Sequence, residues 1–221
     1  MCTRSRVNLP LYPGNSVTGA MNSADSTQAS SHHPLRYNTD RTWVTCVLEN
    51  FDLFLLDHAA NERKASAVAM SMVAHYPDRT TLVVKMTDLA LEELGHFRSV
   101  VHLIQARGLQ LADDAKDQYV VGLREHHRRG KEDYFMDRLL SAAVIEARGT
   151  ERFACLAAAL PDPDLARFYE TLANSEATHT EMFLNLAAQY FDLEDVSARW
   201  LFWLDREAEV LSQVPVLPRL H

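Results

Sequence analysis

Two stretches of this chain repeat one spacing of chemically demanding residues, and that repeat constrains the fold more than any other feature. Glu62 lies 15 residues before Pro77, and Glu146 lies 15 before Pro161. Glu93 follows Pro77 by 16 residues and Glu176 follows Pro161 by 15, each with a histidine three residues later, His96 and His179. The offset between the halves is 84, 84, 83 and 83 across these four landmarks. Such self-similarity marks a duplicated supersecondary unit. Proline at the centre of each unit, inside helix-forming sequence, marks the turn of a helical hairpin.

The surrounding composition supports helices. Glycine (7) and proline (8) are scarce in 221 residues, and hydrophobic residues make up 47%, enough for a sizeable core. The periodicity predicts helices over about 42–75, 79–107, 131–159 and 163–190. A shorter crossover helix is expected over about 115–128, and a fifth over about 193–213. Gly108 and Gly130 punctuate the crossover. Residues 1–40 are rich in Ser, Asn, Thr and Pro without a period, and read as a disordered tail ahead of a helical bundle over 41–221. The three cysteines, Cys2, Cys46 and Cys155, form no CxxC pair, so neither a disulfide framework nor a thiolate metal site is expected. No apolar run is long enough to span a membrane, no secretory signal is recognisable, and a cytoplasmic location is expected.

Three residues turn about 300° around a helix, so each Glu and its His share one face. With 14 Glu and ten His in the chain, about 0.6 such pairs are expected by chance. Two pairs at matching positions of a repeat, each with a lone Glu on the partner helix, are another matter. Glu62, Glu93, Glu146 and Glu176 each fall inside an apolar stripe, such as Leu55, Glu62, Ala69 and Val73. Four carboxylates buried without partners would cost many kcal/mol. No run of Lys or Arg shares those stripes, whereas two divalent cations balance four negative charges. An oxygen-rich set with one imidazole per metal suits iron or manganese better than zinc or copper. One Glu from each of two helices plus Glu-x-x-His from each of the other two is the ligand set of ferritin-like di-iron proteins. The expected fold is therefore all-α, a ferritin-like four-helix bundle with extra crossover and C-terminal helices. The expected metal ligands are Glu62, Glu93, His96, Glu146, Glu176 and His179.

Other residues carry weaker signals. His58, one turn before Glu62, reads equally as a hydrogen-bond donor behind the ligands or as a satisfied core histidine. Tyr169, two turns before Glu176, reads better as a packed tyrosine than as a group aimed at the metals. Glu92, Glu151 and Glu181 fall off the ligand face and are expected in solvent. Asp57 rivals Glu62 but breaks the repeat. The formal net charge of −8 argues against a general nucleic-acid coat protein. One dense basic cluster remains, Arg124, His126, His127, Arg128, Arg129 and Lys131, which is either a solvated helix end or a phosphate-binding patch. Arg148 and Arg152 flank Glu146 and are further candidates for the mouth of the site.

Several segments resemble the tRNA 2-methylthio-isopentenyl-adenosine hydroxylases of the MiaE type. They are Leu56-Asp57-His58-Ala59 through Glu62, Lys64 and Ala65, and Leu91-Glu92-Glu93-Leu94-Gly95-His96-Phe97. In the second half they are Ile145-Glu146-Ala147-Arg148, Glu151-Arg152-Phe153, Arg167-Phe168-Tyr169 and Ser175-Glu176-Ala177-Thr178-His179. Gly149-Thr150 stands where that family usually has Ser-Cys, and Gly95 inside the first Glu-x-x-His is a further departure. The resemblance implies two iron ions on the six ligands above, O2 as co-substrate, an external electron donor supplied by an unidentified reductase, and tRNA as the partner. The residues that touch tRNA would fall among Arg124, Arg128, Arg129, Lys131, Arg148 and Arg152. Rival readings are a ferroxidase or peroxidase of the rubrerythrin kind, which usually adds a Cys-rich module absent here, and a non-enzymatic helical binding module.

Overall fold

Aspartates open four of the helices. The carboxylates of Asp40, Asp117, Asp162 and Asp192 each accept a backbone N–H from the first turn of the helix that follows. Each satisfies a donor that has no partner within its own helix. The structure is a computed structural model that describes residues 35–221. Among these the chain forms seven helices and no strand: α1 (Arg41–Glu49), α2 (Phe51–His75), α3 (Thr80–Ala106), α4 (Gln118–Arg124), α5 (Lys131–Ala159), α6 (Pro163–Tyr190) and α7 (Leu193–Gln213). The hairpin α2–α3 turns at Pro77, and α5–α6 turns at Pro161 with Pro163 at the start of α6. Each helix of a hairpin packs along its partner, which makes the two repeats the two halves of a four-helix bundle. Gly108 ends α3 in the left-handed region (φ 72°), with Leu109 N–H bonded to the Ile104 carbonyl at 3.0 Å.

The expected first helix, 42–75, is two helices rather than one. Asn50 breaks it at φ −130° and ψ 40°, and its side chain donates to the Cys46 carbonyl at 2.9 Å. An asparagine that satisfies the backbone itself lets the chain leave the helix. The break swings α1 across the end of the bundle, where Trp43 and Val47 join Phe54, Phe153, Leu156 and Tyr169 in one buried cluster. The main apolar cluster fills the other end, and α7 closes it with Val196, Trp203, Leu204 and Val210.

The expected tail also reaches less far than residue 40. Leu35 is buried, Arg36 pairs with Asp205 at 2.8 Å, and Tyr37 and Thr39 are bound to α5. The fold therefore begins by residue 35, and residues 1–34 of that tail lie outside the described residues. Thr39 gives both its N–H (2.7 Å) and its hydroxyl to the Glu151 carboxylate. Hydrogen bonds to a charged group contribute about 1.5–3 kcal/mol each, so Thr39→Val should lower stability by about 2 kcal/mol. Urea denaturation of the variant checks this, and an unchanged midpoint refutes it.

Candidate metal centre

The four bundle helices bring all six expected ligands to one place. Glu62 comes from α2, Glu93 and His96 from α3, Glu146 from α5, and Glu176 and His179 from α6. They form two overlapping groups, Glu62–Glu93–His96–Glu176 and Glu93–Glu146–Glu176–His179, with ligand atoms within 4.8 Å of one another in each. Glu93 and Glu176 belong to both groups and lie between the two positions. Glu62 and His96 complete one position, Glu146 and His179 the other.

The spacing of these atoms fits an ion at each position. His96 Nδ1 is buried without a hydrogen bond, ringed by oxygens of Glu93 at 3.4 Å, Glu62 at 3.6 Å and Glu176 at 3.7 Å. Around an octahedral ion with bonds of about 2.1 Å, adjacent ligand atoms sit about 3 Å apart and opposite ones about 4 Å apart. His179 Nδ1 stands 3.1 Å from Glu93 and 3.0 Å from Glu176. Among the described residues, no Lys or Arg forms an ion pair with any of the four carboxylates. Two divalent ions would supply the missing positive charge, and the donors suit iron.

The electrostatics of the bare residues carry the same message. Burial, reinforced by neighbouring carboxylates, pushes Glu146 and Glu176 well above the ordinary carboxylate range, and burial raises Glu93 as well. Burial works against the charged imidazoles, yet the carboxylates of Glu62 and Glu93 beside the ring outweigh it and lift His96 to about 10. Bonding to Glu93 likewise lifts His179 to about 9. Protons thus crowd where cations belong.

Residues behind the ligands sort themselves out. His58 Nε2 lies 2.6 Å from Glu62 Oε1, and its Nδ1 lies 3.3 Å from the Tyr169 hydroxyl. His58 is therefore a partner of a ligand, and Tyr169 reaches the centre only through it. Glu92 is half-exposed, bonded to Ser175, with one oxygen 3.3 Å from His179 Nε2; it is not the freely solvated group its helical position predicts. Glu181 is exposed as expected. Asp57 points elsewhere, accepting the Leu220 N–H at 2.9 Å.

A cavity of about 700 Å³ opens from the centre between α2 and α5 and runs out under α4. Glu62 and Glu146 face it, and its buried walls are apolar, including Ala69, Met72, Leu89 and Phe183. Lys64, Lys116, Arg124 and Arg138 line its outer part.

Three of the arginines expected at an RNA surface are otherwise engaged. Arg148 is wholly buried, bonded to Glu207 at 2.8 Å, Glu151 at 2.9 Å and the Tyr37 carbonyl at 3.0 Å. Arg152 is buried too, bonded to the Leu220 carbonyl at 2.6 Å and stacked 4.8 Å from the Trp43 ring. Neither lines the cavity and both are buried, so neither meets solvent at its mouth. Glu151, expected in solvent, is buried with them. Arg128 is paired with Asp133 and Asp137. Arg124, Arg129 and Lys131 are exposed and form no ion pair among the described residues. Sequence reasoning missed Glu207, the second acid on Arg148, because nothing in the pattern of α7 distinguishes it.

A four-helix bundle in whose core two Glu and two Glu-x-x-His elements converge defines a ferritin-like carboxylate fold. The model of the family described as tRNA-(MS[2]IO[6]A)-hydroxylase (MiaE) matches residues 27–221, and the chain belongs to that family and is an enzyme. It is 38% identical over 159 residues to the tRNA 2-(methylsulfanyl)-N(6)-isopentenyladenosine(37) hydroxylase of Pseudomonas putida, covering 72% of this chain and 77% of that one. It is 36% identical over 155 residues to the protein of the same name from Salmonella typhimurium, covering 70% of this chain and 56% of that one. Among solved structures it resembles Protein 43 with aldehyde deformylating oxygenase activity from Synechococcus, with a TM-score of 0.81 and 34% identity, covering 85% of this chain and 94% of that one.

Proposed function

We propose that this enzyme hydroxylates the isopentenyl side chain of the 2-methylthio-isopentenyl adenosine beside the tRNA anticodon. The reaction consumes O2, two protons, and two electrons from an external reductase; one oxygen atom enters the C–H bond and the other leaves as water. Glu62, Glu93, His96, Glu146, Glu176 and His179 would hold two iron ions, which supply O2 activation when bound. The observation that carries the reading is the cavity: apolar where it meets Glu62 and Glu146, cationic where it opens.

Each part has a task. The walls around Ala69, Met72 and Phe183 would take up a branched hydrocarbon chain and keep water from the reacting carbon. Carboxylates and imidazoles gathered at one place before substrate arrives spare the reaction much reorganisation. The cations at the opening would meet phosphates of the RNA backbone, as charge on a net-acidic protein must be concentrated to bind RNA. A ferroxidase has no use for an apolar cavity of this size, which favours an organic substrate. Among the described residues no helix is long and apolar enough to cross a membrane. A tRNA substrate implies a cytoplasmic enzyme.

The direct test loads the protein with Fe²⁺ anaerobically, then adds O2, a reductant and tRNA carrying the prenylated base. Nucleoside mass spectrometry should show one added oxygen, and unaltered base would overturn the substrate assignment. The surface is tested separately. Replacing Lys116, Arg124 and Arg129 by Ala should weaken tRNA binding and flatten its salt dependence, by up to about one unit of slope for each phosphate no longer neutralised. Arg128→Ala should leave the slope unchanged, because Asp133 and Asp137 already neutralise that side chain. The reverse pattern would move the docking surface elsewhere.

A further inference from the structure

The two halves of the repeat differ at one place that matters to the metals. The repeat maps His58, four residues before Glu62, onto Ala142, four before Glu146. It maps Tyr169, seven residues before Glu176, onto Met86, seven before Glu93. The first half of the site thus has a hydrogen-bonded strut, Tyr169–His58–Glu62, where the second half has only apolar side chains.

The strut fixes what Glu62 can do. A carboxylate only accepts, so His58 Nε2 carries the hydrogen and occupies Glu62 Oε1 at 2.6 Å. In the neutral ring Nδ1 then accepts from the Tyr169 hydroxyl. The imidazole is clamped against Phe153, 4.9 Å between ring centres, and is fully buried. The other oxygen of Glu62, Oε2, is the one that faces His96. Among the described residues, no group outside the six ligands hydrogen-bonds the Glu146 carboxylate. The position corresponding to the strut, Ala142, lines the cavity beside Glu146 and Gly149.

We propose that His58 and Tyr169 are positioning residues that make the two metal positions unequal. The position on Glu62 and His96 is preorganised and tight, with the Glu62 carboxylate held in orientation by His58. The position on Glu146 and His179 is looser, and its carboxylate is free to swing into the cavity. A ligand already held in place loses less side-chain freedom on binding. Partners behind a ligand typically contribute 10–100-fold in metal affinity.

Anaerobic titration of the metal-free protein with Fe²⁺, with free iron measured by dialysis, tests this without turnover. Wild type should bind two ions in steps separated by about tenfold or more, as one such partner provides. Glu146→Ala should remove the weaker step and Glu62→Ala the tighter one. His58→Ala should weaken the tighter step about 10–100-fold and leave the other alone. His58→Gln, which keeps an N–H donor, should restore part of the loss. Tyr169→Phe removes only a hydroxyl and should weaken the same step by a smaller factor; it carries the test if His58→Ala fails to fold. Two equal steps in wild type would overturn the inference. So would a Tyr169→Phe or His58→Gln titration indistinguishable from wild type together with an unchanged tight step in folded His58→Ala. Binding of no metal at all would instead overturn the reading of the centre itself.

Discussion

Glu93→Ala should empty both metal positions, whereas Glu146→Ala should leave one filled. Glu93 and Glu176 are shared by the two ligand groups, and Glu62 and Glu146 belong to one each. Losing Glu93 cuts both groups from four side chains to three, and removes the charge between two cations that would otherwise repel. Losing Glu146 leaves the group of Glu62, Glu93, His96 and Glu176 complete. Iron per chain after anaerobic loading should fall from about two to well below one for Glu93→Ala, and to about one for Glu146→Ala. Glu181→Ala, on the exposed face of α6, should still carry two. Without metal, both ligand variants should be at least as thermally stable as wild type, because each relieves the burial that holds Glu93 and Glu146 above the ordinary carboxylate range. Equal iron loss in Glu93→Ala and Glu146→Ala would show that the two positions do not share ligands as the geometry requires.

Arg148→Met should be the most destabilising change outside the metal centre. Arg148 neutralises Glu207 and Glu151, all three buried, and also binds the Tyr37 carbonyl. The Tyr119 hydroxyl adds a bond to Glu207 at 3.2 Å. Removing one partner of such a group strands the others, at a cost of about 3–5 kcal/mol. For a domain of this size that is a fall in melting temperature of about 6–20 °C. Methionine keeps the apolar stem of arginine and reaches about as far as its Nε, so the loss is chiefly that of the guanidinium group. Iron binding by the folded fraction should persist, since the bonds of Arg148 go to Glu207, Glu151, Thr39 and Tyr37 and to none of the six candidate ligands. A change within about 2 °C, far below the range expected, would mean that the network is neutral in free energy, and the double variant Arg148→Met with Glu207→Leu would then separate pairing from packing.

What was legible in the sequence follows from what local pattern encodes. The convergence of the six candidate ligands was readable because three constraints coincide: helical spacing, an apolar stripe, and a repeat that tests each assignment against a second copy. The hairpin turns were readable from proline, and the helix ends around the crossover from glycine. The break at Asn50 was not, because a single asparagine within good helix-forming sequence leaves the helix only if tertiary packing rewards it, as Trp43 and Val47 do here. The burial of Arg148, Glu151 and Arg152 was not legible either. The period of α5 says which face meets the bundle, but not that α7 and residues 35–40 cover the opposite one. Those residues attach through hydrogen bonds of Tyr37 and Thr39 more than through apolar side chains, so composition alone assigns them to a tail.

The broken repeat has a consequence for how such a site can change over time. A single hairpin of this type carries half a ligand set and needs a second to enclose two ions. Two identical hairpins, related by a twofold axis, must treat both ions alike: any substitution appears twice, and a histidine gained behind one glutamate is gained behind the other. Joining the hairpins in one polypeptide removes that obligation. His58 can be acquired on one side while Ala142 stays small on the other, so one copy specialises in holding and its twin in giving way.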